Sequence, residues 1–224
     1  RKGRVRRGLG LKLGAFAVTS AIGFAACSGS GGTPGGENVT PPASEPPTEY
    51  PMDPQAIEAA TSFVEAFGAF EGERAIAYLA DNAYLEMDAT TPEEVPVFTS
   101  FLEAQGYKQM LAPCEETGNS SAGTYVRCAF DFHAIRSDEI GRGPFSGSYF
   151  DLTVRDGQIV SVSNYFETEE FSPQMWEPFA EWVSTTYPED ASVMYNADLT
   201  NFQLSEESIA LWNRHSRGYV KTKL

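Results

Sequence analysis

Cysteine and histidine are scarce in this chain of 224 residues, with three of the first and two of the second. His133 and His215 stand far apart and no C-x-x-C occurs, which excludes a multi-histidine metal site, a thiolate zinc site and dithiol redox catalysis. An EF-hand loop, an H-E-x-x-H pair, a P-loop, a dinucleotide fingerprint and a G-x-S-x-G elbow are also missing. No metal and no cofactor is therefore expected. Positive charge is the third shortage: 16 Lys and Arg face 31 Asp and Glu, for a net charge of -15. Six of the basic residues precede Cys27, so the chain after that point carries -21. Such a field argues against nucleic acid, or an anionic bilayer, as a partner of the domain itself.

A long apolar run is lacking too. Leu13 to Ala26 is the most apolar stretch, contains Thr19 and Ser20, and spans only 14 residues. That is short for a membrane span. A basic start (Arg1, Lys2, Arg4, Arg6, Arg7, Lys12), a short apolar segment and small residues before a break form a signal-peptide pattern. Arg1 stands where an initiator Met would, and a longer basic region upstream is expected. Phe24-Ala25-Ala26-Cys27 resembles the bacterial lipobox, with Phe24 in place of the usual Leu. The resemblance implies acylation of Cys27 and anchoring to the bilayer on the outer face of the cell membrane. Residues 28–52, rich in Gly, Pro, Ser, Thr and Glu, have too few side chains to bury and read as a disordered tether.

What remains patterns as a folded domain at 53–170 followed by a helical extension at 171–224. Asp53-Pro54 opens a helix with Ala56, Ala60, Phe63, Val64, Phe67 and Phe70 on one face. Gly72 breaks it, and a short helix follows over Arg74 to Leu79. Thr91-Pro92 with Glu94 starts another, striped by Val95, Phe98, Phe101 and Leu102 and ended by Gly106. Period two then takes over. A strand over Lys108 to Glu116 precedes a turn at 118–123. On the next strand Val126, Cys128, Phe130 and Phe132 share one side, and Tyr125, Arg127, Asp131 and His133 the other. Strands over Tyr149 to Arg155 and Gln158 to Phe166 join at the Asp156-Gly157 turn. Helix returns after Ser172-Pro173, with a kink expected at Pro178 and a stop at Pro188. A last helix from Ser205 aligns Ile209, Trp212 and His215. Helices, antiparallel strands, then helices make an α+β plan.

The helix AIEAATSFVEAFGAF, the short helix ERAIAYLAD and the hairpin YFDLTVRDGQIVSVSNYF resemble the NTF2-like superfamily, in its SnoaL-like branch of actinobacterial lipoproteins. The resemblance covers Gln55 to Glu167. It implies a cone of N-terminal helices packed on a curved antiparallel sheet around a pocket, and a fold that also serves as a homodimer.

Cys114 and Cys128 flank a turn centred near Ser121, a register that puts them opposite each other for a disulfide in an oxidising compartment. Asp131 and His133 project from one face of a strand, where an acid can orient an imidazole for proton transfer. They are the candidate catalytic pair. Tyr78, Tyr84, Arg127 and Trp176 are candidate ligand contacts. The expected function is a membrane-anchored extracytoplasmic lipoprotein without catalysis, binding a small apolar or amphiphilic ligand or an envelope protein. The alternatives are a SnoaL-like isomerase, cyclase or dehydratase, and an accessory protein-interaction domain presenting the aromatics around Trp176 and Trp182.

Overall fold

The computed structural model describes residues 52–224, so Cys27 and most of the tether lie outside the described residues. The first helix, α1 (Pro54–Gly68), starts where the Asp53 carboxylate accepts the amides of Gln55 and Ala56. This satisfies donors that a helix start leaves free. Ala56, Ala60, Phe63, Val64 and Phe67 are all buried, as their spacing predicts. Phe70 instead lies past the helix end at a φ of 64°, with its ring against Tyr107. Gly72 begins α2 (Gly72–Ile76) rather than merely breaking α1. A Cβ there would lie 2.4 Å from Pro96 Cα, so only Gly lets α2 approach the start of the third helix.

A strand the periodicity did not predict follows, β1 (Leu79–Glu86). After the Thr91–Glu94 capping box comes α3 (Val95–Ala104). The sheet then builds from β2 (Lys108–Leu111), β3 (Glu115–Ser120), β4 (Gly123–His133), β5 (Phe145–Arg155) and β6 (Gln158–Tyr165). The single strand expected from Lys108 to Glu116 is split around Ala112-Pro113; proline has no amide to give a ladder. Sheet order is β1-β6-β5-β4-β2, with β3 also on β4. Every pairing is antiparallel except β1 with β6, which is parallel. Glu115 pairs with Arg127, and the adjacent Cys114 and Cys128 are joined with S–S 2.00 Å.

The extension is a π-helical turn at Ser172–Trp176 leading into α4 (Glu177–Thr186), then α5 (Pro188–Met194) and α6 (Glu206–Lys221). Pro178 follows the π-helical turn within one continuous helical run, whereas Pro188 sits in the first turn of α5, where no amide partner is needed. Pro188 thus ends one helix by starting another. The Ser205 hydroxyl caps α6, and Trp212 and His215 are buried on its inner face. The Trp212 ring meets Phe101 of α3 edge-on at 5.1 Å, fastening extension to domain. The fold is α+β: N-terminal helices packed on a curved, largely antiparallel sheet, with a C-terminal helical extension.

Candidate functional site

Alternation along β4 turns Val126, Cys128, Phe130 and Phe132 inward. Beyond Phe132 the inner face is not filled. A cavity of about 600 Å³ opens there between α3, the end of β4 and the extension. Its walls are Phe98, Phe101 and Leu102 of α3, Phe132 of β4, Phe166 and Phe171 after β6, Trp176, and Phe202 from the α5–α6 connection. Phe202 stacks on Phe101 with centroids 4.4 Å apart and planes at 23°. The Trp176 indole N–H donates to the Leu199 carbonyl at 3.1 Å, pinning the same connection to the head of α4. The extension is therefore a wall of the cavity and more than a layer on its outside.

Asp88 and Gln105 are among the polar side chains that break this apolar lining. Asp88, just beyond β1, remains accessible to water, yet the surrounding protein displaces enough solvent to raise its carboxyl above the ordinary value of 3.8. Gln105, at the end of α3, is only 5% exposed and makes no side-chain hydrogen bond to another described residue. The Tyr107 hydroxyl is engaged, donating to Gln109 Oε1 at 3.0 Å, and burial pushes its phenol well up. Asp88 is thus a carboxyl suited to hold or take a proton, and Gln105 an amide free to meet a ligand's polar atom.

Of the residues singled out from sequence, Trp176 lines the cavity. Tyr84 is 63% exposed, and Tyr78 packs against the core outside the cavity lining. Arg127 lies on the exposed face of the sheet, bidentate to Asp151 at 2.7 and 2.6 Å and stacked over Tyr149. Asp131 and His133 occupy the face opposite Phe130 and Phe132, which have taken the inner positions. His133 Nδ1 lies 2.9 Å from Ser137 Oγ and 3.0 Å from the Arg142 carbonyl, with no bond to Asp131. Neither Asp131 nor His133 lines the cavity, so the candidate catalytic pair stands apart from it.

Sequence reasoning passed over Asp88 and Gln105, though Gln105 carried a signal. It falls seven residues after Phe98 and four after Phe101, a polar side chain on an otherwise apolar stripe. Asp190 was also missed. It holds the 2%-exposed His215 through a 2.7 Å contact from Oδ2 to Nε2, with the Tyr187 ring 4.5 Å from the imidazole. The expectation of a domain without catalysis is corrected: an aromatic cavity holds a raised carboxyl and an open amide, groups suited to proton transfer, and a buried imidazole–carboxylate pair lies outside it.

No family model and no curated protein matches the chain. Solved structures overlap it loosely. An NTF2-like protein of unknown function from Cytophaga hutchinsonii is 14% identical with a TM-score of 0.38, over 51% of this chain and 91% of its own. A putative polyketide cyclase from Xanthomonas campestris is 19% identical, TM-score 0.41, over 54% and 96%. Another from Silicibacter is 16% identical, TM-score 0.40, over 53% and 93%.

Proposed function

We propose that the domain is an acid–base enzyme of the isomerase, cyclase or dehydratase kind, acting at carbon on a flat, largely apolar molecule. The observation that carries this reading is that Asp88 and Gln105, whose amide has no side-chain hydrogen bond to another described residue, line one cavity together with a set of aromatic rings. The Asp88 carboxylate takes a proton from a carbon next to a carbonyl. The Gln105 amide donates to the carbonyl oxygen as negative charge builds there. Returning the proton from Asp88 to another carbon gives isomerisation, and delivering it to a departing oxygen gives dehydration. The aromatic walls fix the ring plane. His215 and Asp190 lie outside the cavity lining and act as a clamp between α5 and α6.

The test is deuterium exchange at carbon. The full chain is incubated in heavy water with β,γ-unsaturated and aryl ketones, and exchange beside the carbonyl is followed by NMR. Asp88→Asn should slow exchange by about 10²-fold or more, the lower end of what a positioned acid–base group contributes. Exchange that the wild type does not accelerate, or that survives this substitution, overturns the reading. On the sequence pattern around Cys27 we also propose that the domain is held outside the cell membrane by lipid on that cysteine. A mature N-terminus of unacylated mass would refute that assignment.

A further inference from the structure

The wall that the extension contributes differs in charge from the wall it faces. Glu177 and Glu181 on α4 and Asp198 on the α5–α6 connection all line the cavity, along with Asp88. None of the described residues lining it is Lys, Arg or His. The Asp198 carboxylate accepts the Thr200 amide and hydroxyl, and these bonds hold its pKa below the usual carboxylate value. Glu177 accepts from the Ser172 hydroxyl at 3.2 Å. All four lining acids reach solvent, and acids there would by themselves mean little more than solubility. What sets these apart is that they rim an aromatic enclosure lined also by Gln105, which is 5% exposed and makes no side-chain hydrogen bond to another described residue.

A neutral apolar ligand would need the rings and the amide alone. Carboxylates around aromatic faces are what a positive nitrogen recognises: the ring quadrupole attracts it, the acids supply countercharge, and neither strips a strongly held hydration shell from a quaternary centre. An anionic ligand would meet uncompensated acid at the mouth. We infer that the cavity takes a flat apolar molecule bearing a cationic nitrogen, with the ring between α3 and Trp176 and the nitrogen toward Glu177, Glu181 and Asp198. The inference rests on the same cavity as the proposed proton transfer and names the substrate class for it.

The experiment compares two probes of one shape. Naphthylmethyl-trimethylammonium and its uncharged carbon isostere are titrated against the full chain, with tryptophan fluorescence and calorimetry as readouts. The cation should bind about tenfold tighter or more. The gap should shrink in about 1 M salt, where screening reaches down to about 3 Å. It should shrink likewise in Glu177→Gln/Glu181→Gln, two exposed positions whose fold is checked by circular dichroism. Equal or tighter binding of the isostere overturns the cationic assignment while leaving the apolar cavity and its acid–base chemistry in place. Binding of neither probe overturns the cavity as a ligand site, and both readings with it.

Discussion

One aromatic network lines the inner side of this fold, and its two ends differ. Under α1 the rings fill the space: Phe67 meets Phe150 edge-on at 5.3 Å, Phe130 lies 5.2 Å from Phe150, and all are at most 2% exposed. Under the extension they line it. Phe166, Phe171, Trp176 and Phe202 are only half-buried and stand around an opening of about 600 Å³. Aromatic residues supply both ends. What differs is the covering element. A 15-residue helix seats its apolar stripe against the sheet, whereas the extension arrives as a π-helical turn and a loop. The polar intrusions differ as well: α1 presents only Ala, Phe and Val as buried residues, while the open end admits Asp88 and Gln105. An aromatic stripe alone does not separate a core from a pocket, but a polar residue set into it does.

The largest effect expected on this contrast comes from truncating one ring at each end. Phe67→Ala removes a wholly buried ring from the closed end and should cost about 3–5 kcal/mol, measured by urea unfolding, with cation-probe affinity unchanged. Phe202→Ala should cost less stability because its ring already borders open space, yet weaken the probe by about tenfold. If both variants lose stability equally and binding not at all, the two ends are one core and the distinction fails.

Next in size is the disulfide, whose Cys128 belongs to the inner row of β4 and is fully buried. A Cys114→Ser/Cys128→Ser variant should lose about 3 kcal/mol, the scale for a bridge closing a loop of this length. Probe binding should persist, because neither residue lines the cavity. Smaller again is Asp190→Ala, which leaves the buried His215 ring without its partner and should cost about 2 kcal/mol. Hydrogen exchange should then quicken in α5 and α6, and only slightly in α1. Faster exchange spread evenly over the sheet would mean that the extension and the domain unfold as a single unit.

Much of this arrangement was legible before the structure. The Asp53-Pro54 start of α1, the Thr91-Pro92-Glu94 capping box, the inward row of β4 and the Cys114–Cys128 pairing follow from local rules of capping and alternation. Strand β1 was not legible, because its burial does not alternate cleanly. Leu79 and Leu85 are buried while Asp81 and Asn82 between them face water, and a register shift separates its two paired stretches. Asp131 and His133 were legible as neighbours on one face. Which face looked inward was settled by Phe130 and Phe132, whose burial outweighs any local preference of the polar pair. Pairs across long separations, such as Asp190 with His215, depend on how helices pack, and no spacing rule encodes that.

The smallest predicted effect concerns Asp88 and pH. A carboxyl whose folded-state pKa is raised keeps its proton where the unfolded chain has lost it. The folded state then binds more protons, so its stability falls as pH rises from about the ordinary value of 3.8 to the folded one. Below that window the wild type and Asp88→Asn should respond to pH alike; above it the Asn variant should gain relative to the wild type. Solvent access to Asp88 keeps the gain small. A cation seated in the cavity reverses the sign, because it favours the ionised carboxylate. The probe should therefore tighten as pH rises through this window and release protons on binding, measurable by calorimetry in buffers of different ionisation enthalpy. Proton release of the same size from Asp88→Asn would place the titrating group elsewhere and separate the closed end from the open end by geometry alone.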